Sequence, residues 1–158
     1  MPESPKSADK GDEPRDGREA RKIVIDTNFL LIPPKFRLDI FHEIDKTVNF
    51  KYQLIILSRS LEELKNIVSK PKGNSARGAD REAAKTALEL LEAKRESLGD
   101  KLRVVGSEGH VDDTIVEMAS HDKRMIVATQ DKELKRRLKE QGNSVMVMKQ
   151  KKYLEIEG

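Results

Sequence analysis

Short apolar runs alternate along the chain with longer segments in which apolar residues recur every three or four positions. Such runs predict buried strands, and the recurring pattern predicts helices that bury one face. The predicted strands are Lys22–Asp26, Gln53–Leu57, Leu102–Val105, Met125–Ala128 and Ser144–Met148. Because strands that alternate with helices pair in parallel, this order predicts a three-layer α/β/α sandwich with a central parallel sheet of four or five strands.

Helices are predicted in the segments between these strands. They cover much of Phe29–Val48 after a break at Pro33 and Pro34, the segment after Ser58, Asp80–Ser97, a segment opened by Asp112 or Asp113, and Lys132–Glu140. Gly142 is expected to end the last helix, because glycine adopts the left-handed conformation common at helix ends. Lys70–Ala79 is polar, basic and glycine-containing, which predicts a loop.

The chain of 158 residues fits one domain. Residues 1–20 contain almost no large apolar side chain, which predicts a disordered tail before a folded domain at 21–158. No apolar stretch approaches the roughly 18 residues of a membrane span, and no signal peptide is evident. The absence of cysteine excludes disulfides, a thiolate zinc site and a thiol nucleophile. We expect a cytoplasmic protein that does not bind membranes.

The net charge of +3 is unevenly distributed. Residues 1–20 hold four Lys or Arg and six Asp or Glu, a net charge of −2, so residues 21–158 carry +5. Lys132–Lys152 alone holds eight basic and two acidic residues. A lone basic run is more often a solvated helix face, but beside an acidic cluster it would attract a polyanion.

Acidic residues follow the ends of the predicted strands. Asp26 ends the first strand, Glu63 lies about one helical turn past the second, and Asp131 lies just past the fourth. Asp112 and Asp113 open the helix that comes after the third strand and a loop. Taken singly, each acid fits an ordinary helix cap or a first-turn charge. Because the carboxyl ends of parallel strands face one crevice, their joint placement favours a shared site.

A shared acidic site indicates a cation, since unpaired buried carboxylates are costly. Mg²⁺ and Mn²⁺ prefer oxygen ligands, and one or two such ions can activate water and relieve charge during phosphodiester hydrolysis. His42, His110 and His121 show no zinc-like spacing, and we interpret them as surface or incidental residues. The residues therefore favour a metal-dependent nucleic-acid hydrolase.

The motifs IDTN, EEL, DDTIVE and VATQDKELKRRL, in this order, resemble the PIN-domain nucleases. Within them, the chain resembles the branch of archaea and eukaryotes that processes small-subunit ribosomal RNA. The resemblance covers about residues 22–154, and its last motif is the most specific. It implies a Mg²⁺- or Mn²⁺-dependent single-strand endoribonuclease. No cysteines occur in the sequence, so we do not expect the zinc ribbon of another ribosome-processing PIN branch.

The resemblance also implies roles for individual residues. It makes Asp26, Glu63, Asp113 and Asp131 the acids of the catalytic site, and Asp26, Asp112, Asp113 and Asp131 the metal ligands. It does not settle whether Asp112 or Asp113 is the main ligand. Asn28 and Thr129 match positions that hold the acids or a metal-bound water through hydrogen bonds. The basic charge of the last helix and of the loop, rather than the resemblance, gives the expected RNA-binding residues, which are Lys135, Arg136, Arg137 and Lys139, with Lys72 and Arg77 from the basic loop.

Other roles fit the same residues. The partner is expected to be RNA, in particular pre-ribosomal RNA, but a scaffold that binds RNA or protein without cutting would use the same basic surface. A toxin of a toxin–antitoxin pair would use the same chemistry on another substrate. A homodimer could form through the apolar segment Phe29–Val48. An aspartyl phosphatase fits less well, since its motif needs an acid where Asn28 stands.

Overall fold

The structure is a computed structural model that describes residues 19–70 and 77–158. Within these ranges the strands are β1 (Arg21–Ile25), β2 (Tyr52–Leu57), β3 (Leu102–Val105), β4 (Ile126–Ala128), β5 (Ser144–Lys149) and β6 (Tyr153–Glu157). The α-helices are α1 (Thr27–Leu30), α2 (Ile32–Phe36), α3 (Ile40–Thr47), α4 (Ser58–Ser69), α5 (Arg77–Leu98), α6 (Val111–Ser120) and α7 (Lys132–Glu140). Residues 1–18 and 71–76 lie outside the described residues, as do the predictions made for them.

All six strands form one sheet in the order β3-β2-β1-β4-β5-β6. The first five are parallel, and β6 pairs antiparallel with β5. Ile23 of β1 pairs with Leu54 of β2 on one side and with Ile126 of β4 on the other. The chain moves outward from β1 to β3 and then returns to the far side of β1. The order therefore reverses between β1 and β4, where open α/β sheets form their ligand crevice.

Both faces of the sheet are covered, which is why its strands are continuous apolar runs. In β1, Ile23 and Ile25 join a core cluster with the apolar faces of α1 to α5, whereas Val24 faces α6 and α7. Buried side chains of the first helix layer are Phe29, Leu30, Ile32, Ile40, Phe41, Ile44, Leu64, Ala84, Ala87 and Leu91. Those of the second are Val111, Ile115, Ala119, Leu134 and Leu138.

The structure confirms the predicted three-layer fold and changes some of its details. The sheet has six strands, because β6 follows β5 through a tight hairpin. Phe29–Val48 forms three short helices, since Pro33 lies in the first turn of α2, where a missing N–H is tolerated. α5 begins at Arg77, three residues before the predicted start at Asp80. Gly142 has a φ of 93° just past α7, as its predicted role as a helix stop requires.

Most apolar side chains of Phe29–Val48 pack into the core of the chain itself. Phe29, Ile40 and Ile44 are fully buried, and Phe41 is nearly so, whereas Phe36 is exposed. Most of this apolar segment is therefore used within the chain, and its use in a homodimer stays a prediction. Separately, no helix in the described part of the chain is both long and apolar enough to cross a membrane.

Candidate active site

A cleft of about 490 Å³ opens at the carboxyl ends of β1 and β4. It is lined by Asp26, Thr27, Asn28, Leu31, Glu63, His110, Val111, Asp112, Asp113, Asp131 and Arg137. All the acids predicted from the sequence therefore line one cavity, although they come from four separate segments. They meet because every segment follows a parallel strand whose carboxyl end faces the same edge of the sheet.

Asp26 is the most buried acid of the cleft, with 4% of its surface exposed. It caps α1 at the end of β1, where its Oδ1 accepts a hydrogen bond of 2.8 Å from the Thr27 N–H. Its Oδ2 accepts one of 2.7 Å from the Thr129 hydroxyl. Burial raises the pKa of Asp26 to about 6, against the opposing effect of these hydrogen bonds. The negative charges of Asp112 and Asp131 make a smaller contribution to the same upward shift.

Thr129 connects two of the acids. Its side chain is fully buried, and its hydroxyl donates to Asp26 while accepting a hydrogen bond of 3.0 Å from the Asp131 N–H. Asp131 in turn caps α7, with Oδ1 accepting from the Leu134 N–H at 2.8 Å. The ends of β1 and β4 are thereby fixed relative to each other through one hydroxyl group.

Glu63 is held from the β1 side of the cleft. The Thr27 hydroxyl donates to Glu63 Oε1 over 2.7 Å, and the same hydroxyl lies 2.9 Å from the Ser60 Oγ. Ser60 is fully buried one helical turn before Glu63 on α4. Asn28 of α1 holds the loop after β4 in a comparable way, since its Oδ1 accepts a hydrogen bond of 3.1 Å from the Gln130 N–H in that loop.

Asp112 and Asp113, adjacent at the start of α6, have different surroundings. Asp113 is 64% exposed at its side chain and forms an ion pair of 3.1 Å with Arg137. The pKa of Asp112 is raised, first by burial and then by the charge of Asp131, with smaller effects from Asp113 and Glu63. Arg137 opposes this shift. Asp112 therefore faces the other acids, whereas Asp113, expected from motif spacing to be the third acid, is held at the rim by an arginine.

The donor set is suited to a hard divalent cation. No group of three or more His, Asp or Glu side chains in residues 19–70 and 77–158 is placed to hold a metal ion by itself. Mg²⁺, however, usually takes one or two carboxylates and keeps several waters. Asp26 and Asp131 supply carboxylate oxygens. Burial is the main cause of the raised pKa values of Asp26 and Asp112, and a cation between the acids would offset both this burial and the smaller effect of charge repulsion. The residues present fit a partly hydrated ion.

The predicted RNA-binding residues of α7 are largely engaged within the chain. Arg136 forms ion pairs with Glu133 and Glu140, and Arg137 with Asp113. Lys139 contacts Glu157, the residue that pairs with Val145 near the start of β5, so Lys139 points toward the edge of the sheet opposite the cleft. Of this group, only Arg137 lines the cleft. Lys72 and the side chain of Arg77 lie outside the described residues.

Thr27, Ser60 and His110 are polar residues of the cleft region to which the sequence alone assigns no part in the site. Thr27 contacts Glu63 directly, and Ser60 contacts the Thr27 hydroxyl. Their only sequence signals are their places directly after Asp26 and one helical turn before Glu63. His110 precedes α6 and lines the cleft, whereas the sequence predicts a surface or incidental residue there. Its only sequence signal is that it stands two residues before Asp112.

Fold and acidic cleft together define a PIN-type domain, and the chain belongs to the PIN like domain family, whose model matches residues 23–151. It is similar to ribonuclease VapC4 of Methanocaldococcus jannaschii, with 37% identity over 137 residues, 87% of this chain and 97% of that protein. It is also similar to ribonuclease VapC9 of Archaeoglobus fulgidus, with 32% identity over 141 residues, 88% of this chain and 91% of that protein.

Among solved structures, the chain resembles the PIN domain endonuclease Utp24. The TM-score is 0.65 at 21% identity, over 86% of this chain and 90% of that one, and this likeness shows the fold alone. The family predicted from the motifs is therefore confirmed. The narrower resemblance to the ribosomal RNA processing branch has weak support, because both sequence relatives are VapC ribonucleases.

Proposed function

We propose that the protein is a metal-dependent endoribonuclease that cuts single-stranded RNA at this cleft. The observation that carries the proposal is the placement of Asp26, buried between β1 and β4 with the charges of Asp112 and Asp131 acting on it. The ribonuclease names of two relatives with more than 30% identity support the same conclusion. A bound Mg²⁺ or Mn²⁺ would supply an activated water and neutralise charge that develops on the phosphate.

The side chains of the cleft divide the remaining work. Asp26 and Asp131 would hold the ion, and Thr129 keeps their carboxylates in a fixed relation. Asp112 is the third acid in this proposal, in place of Asp113. Glu63 keeps Oε1 on the Thr27 hydroxyl, which leaves Oε2 to accept a hydrogen bond or a proton from the attacking water. Arg137 provides positive charge at the rim for the RNA phosphate.

Two biological roles suit this activity. The similarity to VapC ribonucleases favours a toxin ribonuclease of a toxin–antitoxin pair. Ribosomal RNA processing, the role implied by the motif resemblance, is the second candidate, supported by the likeness in fold to Utp24. A scaffold that binds RNA without cutting is disfavoured, because every acid that the family resemblance requires is present and lines the cleft.

A cleavage assay tests the activity. Labelled single-stranded RNA and a structured pre-ribosomal RNA fragment would be incubated with the protein, with and without Mn²⁺, beside the variant Asp26→Asn. We expect cleavage that needs the ion and is absent in the variant. Cleavage by Asp26→Asn at the wild-type rate would refute the assignment, and binding of RNA without cleavage by the wild type would favour the scaffold.

A further inference from the structure

Three non-glycine residues in the described part of the chain have a positive φ, and they occur at two neighbouring places. Arg37 (φ 56°) follows α2, while Gln150 (φ 54°) and Lys151 (φ 56°) form the turn between β5 and β6. The Lys151 ammonium lies 5.7 Å from the centroid of the Phe36 ring. The end of α2 and the tip of the hairpin are therefore in contact.

The hairpin turn places a lysine where turn chemistry favours glycine. The Lys152 N–H donates to the Lys149 carbonyl over 2.9 Å, with both central residues left-handed, which is the geometry of a type I′ turn. This turn prefers Asn-Gly, because side chains other than those of Gly, Asn and Asp are strained at positive φ. Strained residues that persist in a fold commonly serve a function. The strained position in this turn exposes the side chain of Lys151, which is therefore the candidate functional group.

The surface formed at this contact is aromatic and basic. We name Phe36, Arg37, Lys151 and Lys152 the hairpin-tip patch. All four are exposed, and 38% of the Phe36 surface is accessible. Among the described residues, no carboxylate lies within 4 Å of the charged groups of Arg37, Lys151 and Lys152. Most Lys and Arg side chains of α7, by contrast, form ion pairs. An aromatic ring bordered by cations that have no carboxylate partner among the described residues is the kind of surface on which single-stranded nucleic acids stack their bases and place their phosphates.

The patch lies at the same edge of the sheet as the acidic cleft. Leu31 lines the cleft, and α2 begins at the next residue and ends at Phe36. On the other side, Gln130 joins the two regions. Its N–H donates to Asn28, and its side-chain oxygen accepts from the Met148 N–H at 2.7 Å, three residues before Lys151. An RNA strand that leaves the cleft past Leu31 therefore reaches the patch along α2, whose five residues span about 7.5 Å.

We infer that the hairpin-tip patch binds the single-stranded RNA substrate outside the cleft. One base stacks on Phe36, and the adjoining phosphates contact Arg37, Lys151 and Lys152. The inference rests on the proposed function for its ligand, RNA, but it concerns binding and can be tested without cleavage. It gives the enzyme a preference for substrates with unpaired nucleotides on the α2 side of the cut.

Binding would be measured by fluorescence anisotropy on the full chain carrying Asp26→Asn, with a labelled oligouridine of about 12 nucleotides. Two matched pairs of variants isolate the patch. Lys151→Gly and Gln150→Gly both relieve backbone strain at a left-handed position in the turn, but only Lys151→Gly removes a charge. Phe36→Leu and Tyr153→Leu both remove an exposed ring. Tyr153 serves as the control because Leu154 packs into the core on the α1–α5 face, so its neighbour points to the opposite face.

Lys151→Gly and Phe36→Leu should each weaken binding by about fivefold or more, as expected for loss of a phosphate contact or a stacked base. Lys151→Gly should also lower the slope of log affinity against log salt by about 0.7. Gln150→Gly and Tyr153→Leu should bind like the parent, and thermal melts would verify that all variants fold. Both glycine variants should melt at or above the parent temperature.

Equal binding by each variant and its control, or no binding of RNA by the parent chain, would overturn the inference. Its failure is distinguishable from failure of the proposed function. If wild-type protein cleaves RNA while the patch variants bind normally, only the patch is refuted. If the variants lose binding but the wild type never cleaves, the patch stands and the nuclease assignment falls.

Discussion

Replacing Asp26 by Asn should make the protein more stable at neutral pH while abolishing its activity. The carboxyl group is 4% exposed, and its pKa is raised from 3.8 to about 6. A shift of about 2 units corresponds to about 3 kcal/mol of unfolding free energy, at 1.36 kcal/mol per unit. Asparagine is nearly isosteric and uncharged, so it avoids this penalty. Its side-chain oxygen can still accept from the Thr27 N–H, and its NH2 group can donate to the Thr129 oxygen in place of the hydrogen bond that the hydroxyl donates to Asp26 Oδ2.

The effect has a defined dependence on pH. The folded state binds the Asp26 proton more tightly than the unfolded chain, whose pKa is near 3.8. The contribution of Asp26 to the free energy of unfolding is therefore fully present below pH 3.8. It is lost as the pH rises to about 6 and does not change further above that pH. The difference between variant and wild type should be largest at pH 7.5 and should vanish near pH 4. At about 2 to 4 °C per kcal/mol for a chain of this size, about 3 kcal/mol raises Tm by roughly 6 to 12 °C.

The measurement is thermal unfolding of both proteins in EDTA at a series of pH values, where comparison at each pH cancels the other titrating groups. Asp113→Asn is the matched control, because its carboxylate is exposed and paired with Arg137 and should change Tm little. The reasoning is refuted if Asp26→Asn is no more stable than the wild type at pH 7.5. It is equally refuted if the gain is the same at pH 4.

Two further predictions concern the neighbours of Asp26. Thr129→Val should destabilise the protein by about 1 to 3 kcal/mol in urea unfolding, because Asp26 Oδ2 and the Asp131 N–H each lose the Thr129 hydroxyl as a partner. Thr129→Ser should restore most of the loss. Asp112→Asn should remove the Mn²⁺-dependent rise in Tm, whereas Asp113→Asn should keep it; the opposite result would return the role of third acid to Asp113.

The convergence of the acids could be predicted from the sequence, because it depends on the topology of the sheet and not on side-chain detail. Ile23–Asp26 is a buried run that ends in an acid, and β4 is followed three residues later by Asp131. Any parallel sheet with this order places both acids at the switch point between β1 and β4. No side-chain detail is needed for that step, so pattern and spacing were sufficient.

The choice between Asp112 and Asp113 did not follow in this way. Neighbouring helical residues point about 100° apart, so the orientation of each depends on how the helix is rotated about its axis. That rotation is set by Val111, Ile115 and Ala119, which bury one stripe of α6 against the sheet. Motif spacing locates the start of α6 but carries no information on its rotation.

The basic run from Lys132 to Lys152 shows a second limit of the sequence. Counting charges made α7 the RNA-binding element, but Glu133, Glu140 and Glu157 neutralise much of it. The Glu157 contact depends on β6, a strand that was missed because only Leu154 and Ile156 of its five residues are apolar. An edge strand buries one face, so its pattern is short and weak.

Departures from local structural rules concentrate at one edge of this sheet. Elsewhere the chain follows them, as in the Asp39 cap of α3 and the left-handed Gly142 after α7. At the carboxyl edge, by contrast, Asp26 is a buried carboxylate with a raised pKa, and Lys151 occupies a position suited to glycine. Two independent features that lower stability, one electrostatic in the cleft and one conformational at the hairpin tip, are retained at the same edge of the sheet. Natural sequences tolerate such conflicts mainly at functional sites, so their coincidence supports a substrate that spans both the acids and the hairpin tip.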